Sequence, residues 1–165
     1  MRIAQHIFLR ELASTDVDFI FECENNVENW EVSGTTQPFT KEAINEFVNA
    51  KQDLYLNAQI RYVICLNSNQ QPIGTVDLFE FDAPNKMVGV GILIAHKTMR
   101  KKGFASEALG VVSDFCRNEL NVVHLFCNIQ KNNVPSIRLF EKCGFQLVNE
   151  RELFDKPVNY YTKKL

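Results

Sequence analysis

The chain has 165 residues, of which 45% are hydrophobic and 23% charged, and its formal net charge is −2. This composition predicts one globular domain over residues 1–165, and the charge lacks the broad basic excess of a nucleic-acid-binding protein. No stretch approaches the roughly 20 apolar residues needed to cross a bilayer, so we expect neither a nucleic acid nor a membrane as partner.

The N-terminal third is predicted to contain one strand and two helices. Residues 5–12 alternate between apolar and polar side chains, as a half-buried strand does. The polar residues 14–16 offer N-cap side chains for a short helix, and Thr40 begins a second one. Residues 24–39, which lie between these helices, are acidic, and we predict them to be irregular.

The middle of the chain predicts a sheet with one crossover. Residues 61–66, 74–81 and 88–95 are strands separated by short turns, which indicates an antiparallel meander. Apolar side chains then recur at helical spacing over residues 104–118, and residues 121–129 form another strand. Because a helix separates the last two strands, we expect them to run parallel.

The C-terminal part predicts one helix and two strands. Asn133 is a good N-cap, and Gly144 fits the left-handed position that ends a helix, so that Phe145 packs back on Phe140. The two strands are residues 146–154 and 158–164. The fold class is therefore mixed α/β, with a central twisted, mostly antiparallel sheet flanked by about four helices.

A basic junction precedes the helix that begins at Phe104. The first N–H groups of a helix have no partner inside it, and the helix dipole makes that end positive. Gly103 lets a ligand approach the backbone closely, while Arg100, Lys101 and Lys102 add positive charge. These features together indicate a site for a phosphate or diphosphate.

The junction also resembles a known motif. Residues 100–105, Arg-Lys-Lys-Gly-Phe-Ala, match Arg/Gln-x-x-Gly-x-Gly/Ala, the pyrophosphate loop of the GNAT superfamily of N-acetyltransferases, whose donor is acetyl-coenzyme A. Residues 133–145 resemble the Asn-x-x-Ser/Ala…Lys-x-Gly-Phe segment of that superfamily. The chain looks most like the spermidine and ribosomal-protein alanine N-acetyltransferases, which share the Leu-Arg-x-Leu…Asp opening found at residues 9–16 and the Pro-Ile-Gly…Asp-Leu strand found at residues 72–78.

The resemblance implies how acetyl-CoA is held. The pantetheine arm is expected to meet backbone groups of Ile92, Leu93 and Ile94, and to contact Asn133 with Ser136 nearby. The residues expected to hold the diphosphate are Arg100, Lys101, Lys102, Gly103, Phe104, Ala105 and Ser106. In the family the two parallel strands splay apart here, which implies a strand irregularity near residues 92–94.

The implied reaction is direct attack of a neutral primary amine on the thioester in a ternary complex. The backbone N–H of Leu93 or Ile94 is expected to stabilise the oxyanion. The sequence departs from the family at Phe140, where many relatives carry a tyrosine that protonates the leaving thiolate. The substitutes left open are Tyr160, Tyr161 or a water molecule.

The general base is also not obvious. Many relatives carry an acidic residue where Gly89 stands, so the remaining candidates are Asp77, Glu80 and Asp82. Glu80 aligns with an acidic residue that binds polyamine in the spermidine enzymes. An alternative reading of the departures at Gly89 and Phe140 is an acetyl-CoA-binding module with little or no catalysis.

The acceptor site is expected where residues 24–39 meet the strand end at residues 77–82. The acidic side chains in these segments favour a cationic acceptor, either a small-molecule polyamine or a peptide N-terminus. They are Glu24, Glu28, Glu31 and Glu80. A homo-oligomer is left open.

Cysteine and histidine usage bears on location and metals. The five cysteines are odd in number and form no C-x-x-C pair, and the N-terminus lacks the long apolar stretch of a signal peptide. We therefore expect reduced thiols and a cytoplasmic protein. The three histidines lie far apart, so no metal site is expected.

Overall fold

A computed structural model describes residues 2–33, 35–153 and 155–165, and the side chains of all of these except residues 31–33. The described strands are β1 Arg2–Ile3, β2 Ile7–Glu11, β3 Ile60–Leu66, β4 Pro72–Asp82, β5 Met87–Ile94, β6 His124–Gln130, β7 Gln146–Leu153 and β8 Lys156–Lys164. The described α-helices are α1 Val17–Asn25, α2 Val27–Ser33, α3 Lys41–Asn49, α4 Leu54–Asn57, α5 Phe104–Asn118 and α6 Val134–Lys142. Two 3-10 turns lie at Ser14–Asp16 and Lys97–Met99.

The eight described strands form one sheet in the order β1-β2-β3-β4-β5-β6-β8-β7. Neighbouring strands are antiparallel except β5 and β6, which are parallel. The predicted meander, crossover and mostly antiparallel sheet are therefore confirmed. The strand β8 pairs with β6 on one side and with β7 on the other, so β7 lies at the edge.

Helices cover both faces of this sheet. Successive side chains of a strand point to opposite faces. The ring of Tyr62 in β3 lies 6.0 Å from that of Phe115 in α5, whereas the guanidinium of its neighbour Arg61 lies 5.2 Å from the ring of Phe47 in α3. The helices α5 and α3 therefore pack on opposite faces, with α1 beside α3.

The larger part of the core lies under α5. Leu109, Val112 and Cys116 are almost fully buried, at the spacing of the predicted amphipathic stripe, and they belong to one cluster with Val88 and Leu125 of the sheet. Each fully buried aliphatic side chain of this kind contributes about 1.5–3 kcal/mol to folding. No helix among the described residues combines the length and apolarity needed to span a bilayer.

The short helices α2 and α4 add to the predicted ones, and the prediction of an irregular segment at residues 24–39 was wrong over Val27–Ser33, which forms α2. The helix α2 begins after Asn26, whose side chain accepts a hydrogen bond from the N–H of Glu28 at 3.0 Å. Trp30 donates its indole N–H to the carbonyl of Glu24 at 2.8 Å. Asp53 caps α4 in the same way. The strand β1 was also not predicted.

A partly buried ion pair fastens the 3-10 turn before α1 to the strand β2. The guanidinium of Arg10 donates two hydrogen bonds to Asp16, at 2.6 and 2.7 Å, and the N–H of Ala13 donates a third at 2.8 Å. Burial raises the pKa of Asp16, but these hydrogen bonds outweigh it and hold the pKa below its ordinary value. This pair explains the spacing between arginine and aspartate in residues 9–16.

The end of α6 matches its prediction. Gly144 has φ of +89°, the N–H of Phe145 donates to the carbonyl of Phe140, and the N–H of Gly144 donates to Glu141, each at 3.0 Å. The rings of Phe140 and Phe145 make an edge-to-face contact at 4.9 Å between centroids. This is the Schellman ending with its hydrophobic contact.

Two glycines give opposite stability predictions. Gly144→Ala places a side chain at positive φ and is expected to lower the free energy of unfolding by roughly 1–2 kcal/mol. Gly110→Ala lies in the interior of α5, where an added Cβ meets nothing within 4 Å, and is expected to raise it by about 0.5–1 kcal/mol. Urea unfolding measures both, and a shift of the same sign for the two variants would contradict the assignment of Gly144 as the helix terminator.

Candidate active site

The parallel strands β5 and β6 stay paired for only three residues. The pairs are Met87 with His124, Val88 with Leu125, and Gly89 with Phe126. Beyond them β5 pairs only with β4, up to Ile94, while β6 pairs only with β8. One edge of β5 therefore presents backbone N–H and C=O groups that none of the eight described strands pairs.

The separation of the strands was expected, but the expected irregularity near residues 92–94 is absent. The register between β4 and β5 runs without a shift from Gly89 to Ile94. The shift lies in β4 instead, between Phe79 and Asp82. The gap therefore opens because β6 leaves β5, and not because β5 is distorted.

A cleft of about 810 Å³ occupies this gap. It runs between the end of β5, the loop before α5, and the first turns of α5 and α6. All but Lys102 of the residues predicted to hold the cofactor line it. They are Ile92, Leu93, Ile94, Arg100, Lys101, Gly103, Phe104, Ala105, Ser106, Asn133 and Ser136.

The N-terminus of α5 forms one end of the cleft. Lys101 and Gly103 have φ of +60° and +89°, which turn the loop into the helix, and no side chain caps the helix start. Its first-turn amides and the positive end of the dipole therefore face the cleft. The one acidic residue of this turn, Glu107, instead accepts hydrogen bonds from the backbone and ring of His6, at 2.9 and 2.6 Å.

The start of α6 lies across the cleft from β5. The side-chain oxygen of Asn133 accepts a hydrogen bond from the N–H of Ser136 at 3.3 Å, which confirms Asn133 as the N-cap. Because Oδ1 of Asn133 is used in the cap, the NH2 group of this side chain remains to donate to a ligand.

Arg100 has protein partners as well as a place in the cleft. Its Nε donates to the carbonyl of Ile94 at 3.1 Å, and its Nη2 donates to Oδ1 of Asn29 at 2.9 Å. Asn29 also lines the cleft, although it was not predicted to. No local signal marks it, because its partner is 71 positions away.

Two predicted acidic residues are held by a buried cation. Arg61 donates two hydrogen bonds to Asp77, at 2.6 and 3.0 Å, and a third to Glu24. Burial lowers the pKa of Arg61, but the two carboxylates outweigh it and raise the pKa above its ordinary value. Both oxygens of Asp77 accept from the guanidinium, so Asp77 is poorly placed to act as the predicted base.

The other acidic candidates are exposed. Glu28 lines the cleft and forms an ion pair with Lys97 at 2.6 Å, in which the side chains are 45% and 66% exposed. Glu80 is exposed, with φ of +50°, at the irregularity of β4, so the simple alternation that separated it from Asp77 does not hold. It lies outside the cleft lining, and the predicted side chain of Glu31 lies outside the described residues.

Steric crowding explains why Gly89 stands where many relatives carry an acidic residue. A Cβ at this position would come within 2.4 Å of the Phe79 ring. That ring in turn makes an edge-to-face contact with Phe126 at 5.5 Å. An acidic side chain therefore has no room at position 89 unless Phe79 moves.

The aromatic candidates for a general acid are held elsewhere. Phe140 is buried against Phe145, and Tyr161 is 1% exposed with its hydroxyl 3.4 Å from Glu141. Tyr160 lies under the guanidinium of Arg151. Neither tyrosine is among the residues that line the cleft. Burial also raises the pKa of the Cys116 thiol to about 12, which makes it a poor nucleophile.

The comparisons with known proteins agree with this architecture. Residues 6–146 match the model of a protein family described as an acetyltransferase (GNAT) domain. The spermidine N(1)-acetyltransferase of Vibrio cholerae is 27% identical over 138 residues, which cover 83% of this chain and 77% of that protein. An N-acetyltransferase 9-like protein of Nematostella vectensis is 33% identical over 89 residues, which cover 53% of this chain but only 45% of that protein.

A solved structure extends the likeness to nearly the whole chain. The crystal structure of spermidine N-acetyltransferase from Vibrio cholerae in complex with CoA and spermine superposes with a TM-score of 0.84. The superposition covers 96% of this chain and 95% of that chain, at 22% identity. At this identity the likeness shows a shared fold.

The partly buried cluster around Arg61 predicts a loss of stability. Arg61→Met leaves Glu24 and Asp77 close together without a cation, and is expected to lower the free energy of unfolding by about 1–3 kcal/mol. Lys97→Met is the control, because it breaks an exposed ion pair worth about 0–1 kcal/mol. Urea unfolding at neutral pH compares them, and equal losses would mean that Arg61 is not a structural cation.

Proposed function

The chain belongs to the GNAT acetyltransferase family and is an N-acetyltransferase that uses acetyl-CoA as co-substrate; we propose that its acceptor is a small primary amine with a further positive charge, such as a polyamine. The observation that carries the assignment of the site is the cleft along the edge of β5 that β6 leaves, which α6 borders on the other side and which ends at the uncapped start of α5. Such a cleft offers an unpaired strand edge for an amide-containing arm and an anion site for a diphosphate.

The cofactor is proposed to lie along this cleft. The backbone N–H and C=O of Ile92, which face away from β4, pair with the pantetheine arm as an added strand would, and Asn133 donates to it from the opposite side. The first-turn amides of α5, from Phe104 to Ser106, bind the diphosphate together with Lys101. Lys102, which is outside the cleft lining, adds only long-range attraction.

The chemistry is proposed to need little help from protein acids. The amine nitrogen bonds to the thioester carbon, the C–S bond breaks, and CoA leaves as a thiolate that takes a proton from water. A thiol pKa of about 8.5 makes this thiolate a fair leaving group, so a missing tyrosine is tolerable. The N–H of Ile94, which faces away from β4, is proposed to stabilise the oxyanion, and Glu80 to receive the proton of the amine through water.

The positive charge proposed for the acceptor depends on which carboxylates are free to bind a substrate ammonium. Glu24 and Asp77 are bonded to the buried Arg61, so they are not available to a substrate. Glu28 is paired only with an exposed lysine, and such pairs contribute about 0–1 kcal/mol, so a substrate ammonium can replace Lys97. Glu80 is exposed and belongs to the strand end at residues 77–82, where the acceptor site is expected. The polyamine complex of the solved relative supports this class of acceptor.

A reducing location, the cytoplasm, is proposed on separate grounds. All five cysteines are free, and four of them are buried. Buried free thiols are typical of proteins that fold in reducing compartments.

Cofactor binding gives the first test. Lys101→Glu is expected to weaken acetyl-CoA binding by about tenfold or more, since a charged hydrogen-bonding partner is replaced by a repelling one. Lys102→Glu is expected to weaken it by less than about threefold, because only screened long-range attraction is lost. Calorimetry measures both affinities, and equal losses would mean that the diphosphate does not lie at the proposed position. Failure of the unaltered protein to bind acetyl-CoA would overturn the site altogether.

Acceptor choice gives the second test. Thiol release is expected to show kcat/KM for spermidine at least about tenfold above that for butylamine, which has one amine only. Glu28→Gln is expected to lower the spermidine value by about two- to fivefold and to leave butylamine nearly unchanged. Glu80→Gln removes the proposed proton acceptor and is expected to lower the values for both amines by about tenfold or more. Glu152→Gln on the exposed strand β7 is the control. Activity confined to amines without a second positive charge would reject the proposed acceptor class.

A further inference from the structure

We propose that Arg100 is a positioning residue, which holds the acceptor-side helix α2 against the end of β5 and so sets the amine site relative to the thioester. The inference rests on the proposed function, because it takes α2 as part of the amine site and β5 as the support of the acyl carrier. It assigns to this arginine a task other than binding the diphosphate.

The first observation is where the guanidinium donates. Its Nε bonds to the carbonyl of Ile94, the last residue of β5, and its Nη2 bonds to the side-chain oxygen of Asn29 in α2. Ile94 belongs to the unpaired strand edge that lines the cleft. A single planar group therefore connects the cofactor side of the cleft with the acceptor side.

The second observation is the state of Asn29. Asn29 is 2% exposed. Its side-chain Nδ2 donates to the carbonyl of Cys23 at 3.2 Å, while its Oδ1 accepts from Arg100. Both ends of the amide are thus used, which fixes its orientation. Loss of the arginine would leave a buried oxygen without its donor, and such a group is costly in a folded protein.

The third observation concerns the two links between described side chains that join α2 to the segment between β5 and α5. A helix of seven residues is far too short to be stable alone, so its place depends on tertiary contacts. The ion pair between Glu28 and Lys97 also reaches the segment before α5, but it is exposed and therefore weak. The partly buried bond between Arg100 and Asn29 is the stronger of these two links.

These observations separate two roles by their kinetics. If Arg100 mainly binds the diphosphate, a positive charge is what matters, and its loss weakens acetyl-CoA binding. If Arg100 positions α2, the fork geometry matters, and its loss lowers kcat/KM for the amine while the cofactor affinity changes little. Small displacements of a reactant lower rates strongly, since attack requires a near-ideal geometry.

Arg100→Lys makes the distinction, because lysine keeps the charge but lacks the planar fork that reaches both acceptors. We expect its Kd for acetyl-CoA, measured by calorimetry, to stay within about threefold of the unaltered protein. We expect kcat/KM for spermidine to fall by about tenfold or more, because the buried bond to Asn29 is lost. Lys101→Met, which retains Arg100, is expected to show the reverse pattern.

A double-mutant cycle checks that Arg100 and Asn29 act through one bond. Asn29→Ala alone is expected to give the same loss in kcat/KM as Arg100→Lys, and the double variant no more than either. Additive losses, or an Arg100→Lys variant with full kcat/KM, would overturn the inference. Asn29→Ala provides the same readout from the other side if a change at Arg100 prevents folding.

The controls also separate this inference from the proposed function. A protein that binds acetyl-CoA and acetylates spermidine, but whose Arg100→Lys variant loses only cofactor affinity, keeps the proposed function and rejects the positioning role. A protein that does not bind acetyl-CoA rejects both.

Discussion

The site depends on one constraint, the early end of the pairing between the parallel strands β5 and β6. After three residue pairs, β6 stays with β8 and β5 stays with β4, so an edge in the middle of an eight-stranded sheet is left without a neighbour. Backbone groups in such a place need partners, because an unpaired buried group costs about 1–3 kcal/mol. The cleft, the position of the α5 terminus opposite it and the proposed binding of an amide-containing arm all follow from this opening.

The parts of the fold that have local signals were predictable from the sequence. The stripe of α5, the Asn133 cap and the Gly144 terminus are each determined by residues within a few positions of one another, and each was found. The helix α2 was missed because its sequence is short and acidic, and because the partner of its buried Asn29 is Arg100, 71 positions away. The strand β1 has only two residues, too few to show a period.

The same reasoning explains why the residues predicted for the cofactor lie together, whereas those predicted for the acceptor do not. The residues of the cofactor side fall in two contiguous motifs, and the cleft gathers all of them except Lys102. The acceptor side was predicted from acidic composition, but whether a carboxylate is available depends on distant partners such as Arg61 for Asp77 and Lys97 for Glu28. Family membership favours the enzyme over the cofactor-binding module that the departures at Gly89 and Phe140 had suggested.

The packing of Phe79 over Gly89 limits how this chain can change during evolution. A carboxylate at position 89 would collide with the ring, so that substitution alone is disfavoured until position 79 has become smaller. Shrinking position 79 first removes the contact with Phe126 and opens a void in a well-packed region. The two substitutions are thus expected to be epistatic, because a smaller residue at position 79 leaves the space that a side chain at position 89 would fill.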